Sequence, residues 1–213
     1  MDDPLDVLAV RVLGSLIEKQ VTTPDNYPLT INALVAACNQ TSNRDPILEV
    51  NATTVSECLK DLTRRSLARE VHRSDARAKR YRHQMEESMH LHPPELAVMC
   101  VLMLRGPQTA GEIRTRTTRL FEFTDLAHVD VTLQALATLA MPLVAELPLQ
   151  PGQKEARYAH LLSGIPEAET SEAPTTHPVA VDRVAALEQA VDSLRSDLAG
   201  LRTRFEEFKR QFQ

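Results

Sequence analysis

One structural unit is written twice in this chain, and that repetition constrains the fold more than any other feature. Residues 54–83, TVSECLKDLTRRSLAREVHRSDARAKRYRH, read as a helix, a strand, a short basic loop and a second strand, and a similar unit returns at residues 128–162. Leu8-Ala-Val10 recurs as Leu96-Ala-Val98. Val55, Leu59 and Leu62 recur at identical spacing as Val129, Leu133 and Leu136, and Arg80-Tyr-x-His83 recurs as Arg157-Tyr-x-His160. Three matches in the same order mark a structural duplication. The expected fold is mainly α with small β-hairpins, an α+β class: winged-helix domains over 1–84 and 85–163, a linker over 164–180 and a coiled-coil helix over 181–213.

Local signals fill in this plan. Leu5, Leu8, Ala9, Val12, Leu13, Leu16 and Ile17 have the spacing of an amphipathic helix over 5–20. TTPDNYP (22–28) breaks it, and Thr30 caps a second helix with Leu34, Val35 and Cys38 inward. After the polar connection 39–51, Thr54-Val-Ser-Glu57 has the pattern of a capping box opening a third helix. In the second copy Pro93 suits the first turn of a helix over 93–105, Thr109-Ala-Gly-Glu112 is another capping box, and a helix over 127–140 leads to a hairpin over 143–163. The step from Leu8 to Leu96 is longer than the step from Val55 to Val129, so the first copy carries a surplus of chain between its first and third helices. That surplus is expected around TTPDNYP and NQTSNRDPILE, either as specific contact loops or as structural elaboration.

Charge is unevenly spread. Residues 60–82 hold nine Lys/Arg against three Asp/Glu, a net of +6, whereas the whole 213-residue chain is −5 and the remainder therefore −11. Such a window is either an electrostatic footprint for a polyanion or a solvated helix and hairpin surface. In a winged helix the third helix enters the major groove and the wing reaches phosphates. The residues expected to contact nucleic acid are thus Lys60, Arg64, Arg73, Arg77, Lys79 and Arg80, with Glu57 and Asp61 on the same helix opposing phosphate. In the second copy the third helix carries Asp125 and Asp130 and few bases, and the cations Arg114, Arg116 and Arg119 sit on the second helix. That copy reads as an interaction module. The expected function is DNA binding with a regulatory role; the alternative is a protein–protein adaptor without direct DNA contact.

Past the Pro- and Glu-rich stretch 164–180, Val184, Leu187, Val191, Leu194, Leu198 and Leu201 begin a heptad series that continues through Phe205, Phe208 and Phe212. Val at a and Leu at d favour a parallel two-stranded coil, hence a homodimer; the other reading is one amphipathic helix folded back on its own chain.

Other classes find little support. Cys38, Cys58 and Cys100 have no paired spacing and read as small apolar core residues, not as metal ligands or disulfides. His90-x-His92 lacks partner ligands. No nucleophile elbow, phosphate loop or His-Glu-x-x-His motif is present, so no enzyme and no cofactor are expected. The acidic start MDDPLDVLAV is unlike a signal peptide and no apolar run is long enough to span a bilayer, which points to a cytoplasmic chain without membrane contact.

GSLIEKQVTTPDNYPLTINALVAACNQTSNRDP (14–46), LRGPQTAGEIRTRTTRLFEF (104–123) and RYAHLLSG (157–164) closely resemble blocks of the YceH family of uncharacterised bacterial proteins. The resemblance runs over roughly residues 6–164 and implies two tandem winged-helix domains and no catalytic residues. Within the first block Glu18, Lys19, Gln20, Asn39, Gln40, Asn43 and Arg44 flank the extra loops, with chemistry suited to loop bracing or partner contact.

Overall fold

The computed structural model describes residues 3–71, 78–150 and 152–164. The expected wing residues Arg73 and Arg77, the linker from 165 onward and the heptad positions Val184, Leu187, Val191, Leu194, Leu198 and Leu201 lie outside the described residues.

The described chain is α+β, with seven α-helices and two small antiparallel sheets. In the first half α1 (Val7–Thr22) leads through a 3-10 turn to β1 (Leu29–Thr30), then α2 (Ile31–Cys38), α3 (Ala52–Arg64), β2 (Ala68–Val71) and β3 (Arg80–His83). β3 lies between β1 and β2, with Leu29 opposite Tyr81 and Arg69 opposite Arg82. A short α4 (Met85–Met89) leads to the second half: α5 (Pro93–Arg105), α6 (Ala110–Thr117), α7 (Leu126–Ala137) and the hairpin of β4 (Val144–Leu147) and β5 (Arg157–His160).

Side-chain caps set the helix starts. Thr30 Oγ1 accepts from Ala33 N at the head of α2, and Thr109 and Glu112 form the expected reciprocal capping box on α6. The Thr54-Val-Ser-Glu57 pattern does not open α3. Asn51 is the cap, its Oδ1 accepting from Thr54 N at 3.0 Å, so the helix starts at Ala52 and Thr54 already lies in its first turn. Asn51 offers the same acceptor geometry as a Ser or Thr cap and stands ahead of it in the chain.

α1 departs from a one-faced helix. Residues 9–17 are all buried, Arg11 and Ser15 among them. α1 packs against α2, α3 and β3 of its own half and against α5 of the other. α5 is apolar all round, with Leu96 through Leu104 buried. The two helices approach closely at Gly14, where a Cβ would sit 2.9 Å from Leu104 Cγ and 3.3 Å from Met103 Cβ. The Cys100 thiol donates to Gly14 O at 3.4 Å across the same seam. Apolar side chains of both halves thus form one contiguous core. Cys38 and Cys100 lie inside it and Cys58 packs half-buried at its edge.

Candidate functional site

On the first half, α3 turns Val55, Leu59 and Leu62 inward and leaves Glu57, Lys60, Thr63 and Arg64 outside. Lys60 is exposed and has no acidic partner among the described residues. Arg64 is exposed too and pairs with Asp61 one turn back. Exposed pairs of this kind are worth little, so the guanidinium is readily given up to a stronger anion. Arg65, by contrast, ties the end of α3 to the start of the chain, its Nε 2.7 Å from Asp61 and its Nη2 2.7 Å from Asp3.

The sheet adds a second set. Ala68, Tyr81 and His83 are buried. Strand alternation then puts Arg69, Val71, Arg80 and Arg82 on the opposite face, Arg69 directly across from Arg82 and Val71 across from Arg80. Like charges directly opposed cost stability unless an anion joins them. Glu87 pairs with Arg82, while Arg69 is exposed with no acidic partner among the described residues. Lys79, just before β3, pairs at 3.1 Å with Glu70, the residue opposite Tyr81, and so lies away from this face. Arg80 is half-buried and braces the loop before β1, donating to Pro28 O at 2.8 Å and to Asn26 O at 3.4 Å. The structure therefore brings Lys60 and Arg64 together on one helix face and Lys79 and Arg80 to one hairpin, with Arg80 occupied by loop carbonyls. Arg69 and Arg82 were not singled out in the sequence as contacts, and their facing register was the signal: both strands place them on the side away from Tyr81 and His83.

The extra loops of the first half form a second feature. Arg44 is buried and donates from Nη1 and Nη2 to both carboxylate oxygens of Glu18, at 3.1 and 2.6 Å. The same guanidinium reaches Ala37 O and Gln40 Oε1. Burial pushes the Glu18 carboxyl up, but the Arg44 bonds and charge, with Lys19 beside it at 3.2 Å, outweigh that and hold it below the usual carboxylate value. A second buried arginine, Arg11, donates to Cys38 O at 3.1 Å and to Pro46 O. Burial, then the charge of Arg44, lowers its guanidinium pKa. The two arginines gather the carbonyls at the end of α2 and in the following loop against α1. Across the halves Asp45 N donates to Leu104 O at 2.8 Å, and Arg105 Nη2 donates to Asn43 Oδ1 at 2.6 Å. Residues 39–46 are thus braced on two sides, and above the Glu18–Arg44 pair they border a polar cleft of about 480 Å³.

The hairpins end alike. His83 is fully buried with Nε2 unpartnered, and His160 Nδ1 is likewise buried and unpartnered. Burial holds each imidazole down at about 4. Among the described residues no group of three or more His, Cys, Asp or Glu is placed to hold a metal ion, and no helix is long and apolar enough to cross a membrane.

These features describe an α+β protein of two similar halves on one core, with a cationic helix-and-sheet face on the first half and arginine-braced loops where the halves meet. Residues 5–153 match the family described as "Protein of unknown function, DUF480", and the chain belongs to that family. Relatives in Pelobacter propionicus and Geotalea uraniireducens, each named UPF0502 protein, are 47% identical to it, with the match covering 100% of this chain and of theirs. A UPF0502 protein of Opitutus terrae is 48% identical over 91% of this chain and 86% of its own.

Proposed function

We propose that the chain is a non-enzymatic tandem winged-helix protein that binds DNA through α3 and the β2–β3 wing of its first half. The element order supports the fold: helix, short strand, two helices and a two-stranded wing, with the first strand pairing on the inner wing strand. The second half repeats that order, with a single bridge between Gln108 and Tyr158 in place of the first strand. The resemblance to the YceH family over residues 14–46 and 104–123 points the same way. One observation carries the function: Lys60 and Arg69 are exposed and, among the described residues, free of acidic partners on the helix and wing that such folds use. Arg64 and Lys79 add charge through weak exposed pairs, and Arg73 and Arg77 extend the wing in sequence. Paired heptads from Val184 to Leu201 would present two such faces to one duplex.

The test is fluorescence anisotropy with labelled duplex DNA across a salt series. Each neutralised phosphate contributes a slope of roughly −0.9 in log K against log salt, so the affinity should fall steeply as salt rises. Absence of any binding at low salt would sink the reading.

A second reading has its own support. α7, the counterpart of α3, exposes Val131 at 69% and Leu126 at 47% beside Asp125 and Asp130. An apolar, acidic face suits a protein partner better than phosphate. A stoichiometric protein complex that survives nuclease treatment and is lost with Val131→Asp is the outcome this adaptor role requires.

A further inference from the structure

The cleft above the Glu18–Arg44 pair draws its wall from both halves: Lys19 on α1, residues 40–43 after α2, and Arg119 in the turn after α6. Its volume of about 480 Å³ falls within the range of small-molecule sites, about 300–1,000 Å³. The balance of donors and acceptors gives it a chemical character.

An arginine only donates hydrogen bonds. Arg44 Nη2 on Gln40 Oε1 at 2.8 Å and Arg105 Nη2 on Asn43 Oδ1 at 2.6 Å therefore fix which end of each amide is the oxygen. Both amide oxygens already accept a charge-assisted bond, and the amide N–H groups remain as donors. Asn39 is used at both ends, giving to Val50 O at 2.8 Å and accepting from Val50 N at 2.9 Å. Glu18 is the lining's one carboxylate, and both its oxygens rest on Arg44. The amide and carboxylate oxygens of Glu18, Asn39, Gln40 and Asn43 are thus already engaged, whereas the Gln40 and Asn43 amide N–H groups, the Lys19 ammonium and the exposed Arg119 guanidinium can still donate, and the Thr41 and Ser42 hydroxyls can donate or accept. Charge runs the same way: Glu18 already faces Arg44 and Lys19 before Arg119 is counted. On the α1 side the Thr22 and Thr23 hydroxyls donate to Glu18 O at 2.8 Å and Lys19 O at 3.2 Å, which leaves their oxygens as acceptors.

We infer that this cleft is a binding site for a phosphorylated small molecule. The phosphate oxygens accept from Lys19, Arg119 and the loop donors, and a hydroxyl of the organic part meets Thr22 or Thr23. Three terminal oxygens, each accepting more than one bond, match this concentration of donors better than the two oxygens of a carboxylate. Because the donors come from both halves, the bound anion would join them.

Isothermal titration at fixed ionic strength with inorganic phosphate, and separately with ribose 5-phosphate, tests the site on the full chain. Saturable binding of either probe is expected, weakened at least about tenfold by Arg119→Gln, the loss of a charge-assisted bond, and unchanged by Lys154→Gln, which removes an equal charge from the far hairpin. Arg119 is exposed, so its variant should melt like the parent in phosphate-free buffer, while phosphate should raise the melting temperature of the parent more than that of the variant. No saturable binding of either probe, binding indifferent to Arg119→Gln, or equal weakening by Lys154→Gln would overturn the assignment.

Discussion

The two halves are built to one plan and differ in how they use charge. Each has a capped second helix, a third helix buried through the same three apolar positions and a hairpin ending in a histidine with a buried, unpartnered ring nitrogen. Asn51 caps α3 and Asp125 caps α7, and each stands the same distance ahead of its helix's first buried valine, Val55 or Val129. Leu29 pairs with Tyr81 in the first half, and Gln108 pairs with Tyr158 in the second, so one ladder has shrunk to a bridge. Thr30 and Thr109 are equivalent caps on the second helices. Their separation is intermediate between those of the first and third helices, so the surplus of the first half is divided, the larger share before Thr30 and the smaller after it. In the second half Glu112 pairs with Arg116 at 3.0 Å, both half-exposed. The first half buries Arg44 on Glu18 and Arg11 on backbone carbonyls, and so fixes loops that have no counterpart. The same duplicated scaffold thus adds buried, structural charge in its first half, beside that half's exposed cations, where the second half holds a partly exposed pair.

The sharpest way to break this contrast is to remove one arginine from each half. Arg44→Ala leaves the half-buried Glu18 with Lys19 beside it but without its buried bidentate partner, and frees Ala37 O, Asn43 O and Gln40 Oε1; a cost of about 3–5 kcal/mol is expected from urea denaturation. Arg116→Ala should cost about 0.5 kcal/mol or less. Similar values for both would mean that Arg44 is no more structural than a surface charge.

The histidines test what the halves share. A histidine held at about 4 in the folded chain regains its ordinary value of 6.5 on unfolding. The unfolded chain then binds more protons between those values, so stability should fall as pH drops from 6.5 towards 4 and stay flat with respect to these groups above 6.5. For the fully buried His83 the shift corresponds to roughly 3 kcal/mol. Melting temperatures of the parent and His83→Leu across this window should converge as the pH is lowered; parallel curves would rule out a neutral buried imidazole.

The seam between the halves is tested next. Gly14→Ala drives a methyl into Leu104 and Met103 and should cost about 1–3 kcal/mol by thermal melting. An unchanged melting temperature would show that α1 and α5 separate without penalty. The smallest effects are expected at the caps, where Asn51→Ala and Asp125→Ala should each cost about 1 kcal/mol, measurable as equal shifts in urea midpoint. Unequal shifts would mark one half as the weaker folding unit.

Much of this architecture was legible from local pattern. The α5 helix over 93–105, the Thr109 capping box and the paired positions Val55 and Val129 follow from spacing alone. The rest depends on tertiary contact. Nothing local marks Arg11 or Arg44 as buried, because a charged residue reads as solvated until the carbonyls it gathers are in place. Gly14 reads as a weak point in a helix until Leu104 is seen against it. β1, two residues long, and the short α4 carry too little periodicity to register. At the cationic face the helix residues Lys60 and Arg64 followed from the α3 pattern, whereas Arg69 needed the strand register and Arg80 turned out to hold the loop before β1.

The central claim is that the first half, through its unpaired cations, is the DNA-binding half. It is tested most directly by comparing two double variants in the same anisotropy salt series. Lys60→Gln with Arg69→Gln should lower affinity at least about tenfold and flatten the salt slope by about two units, whereas Arg114→Gln with Arg157→Gln in the second half should leave both nearly unchanged. Equal losses in the two variants, or an unaltered slope in the first, would contradict it.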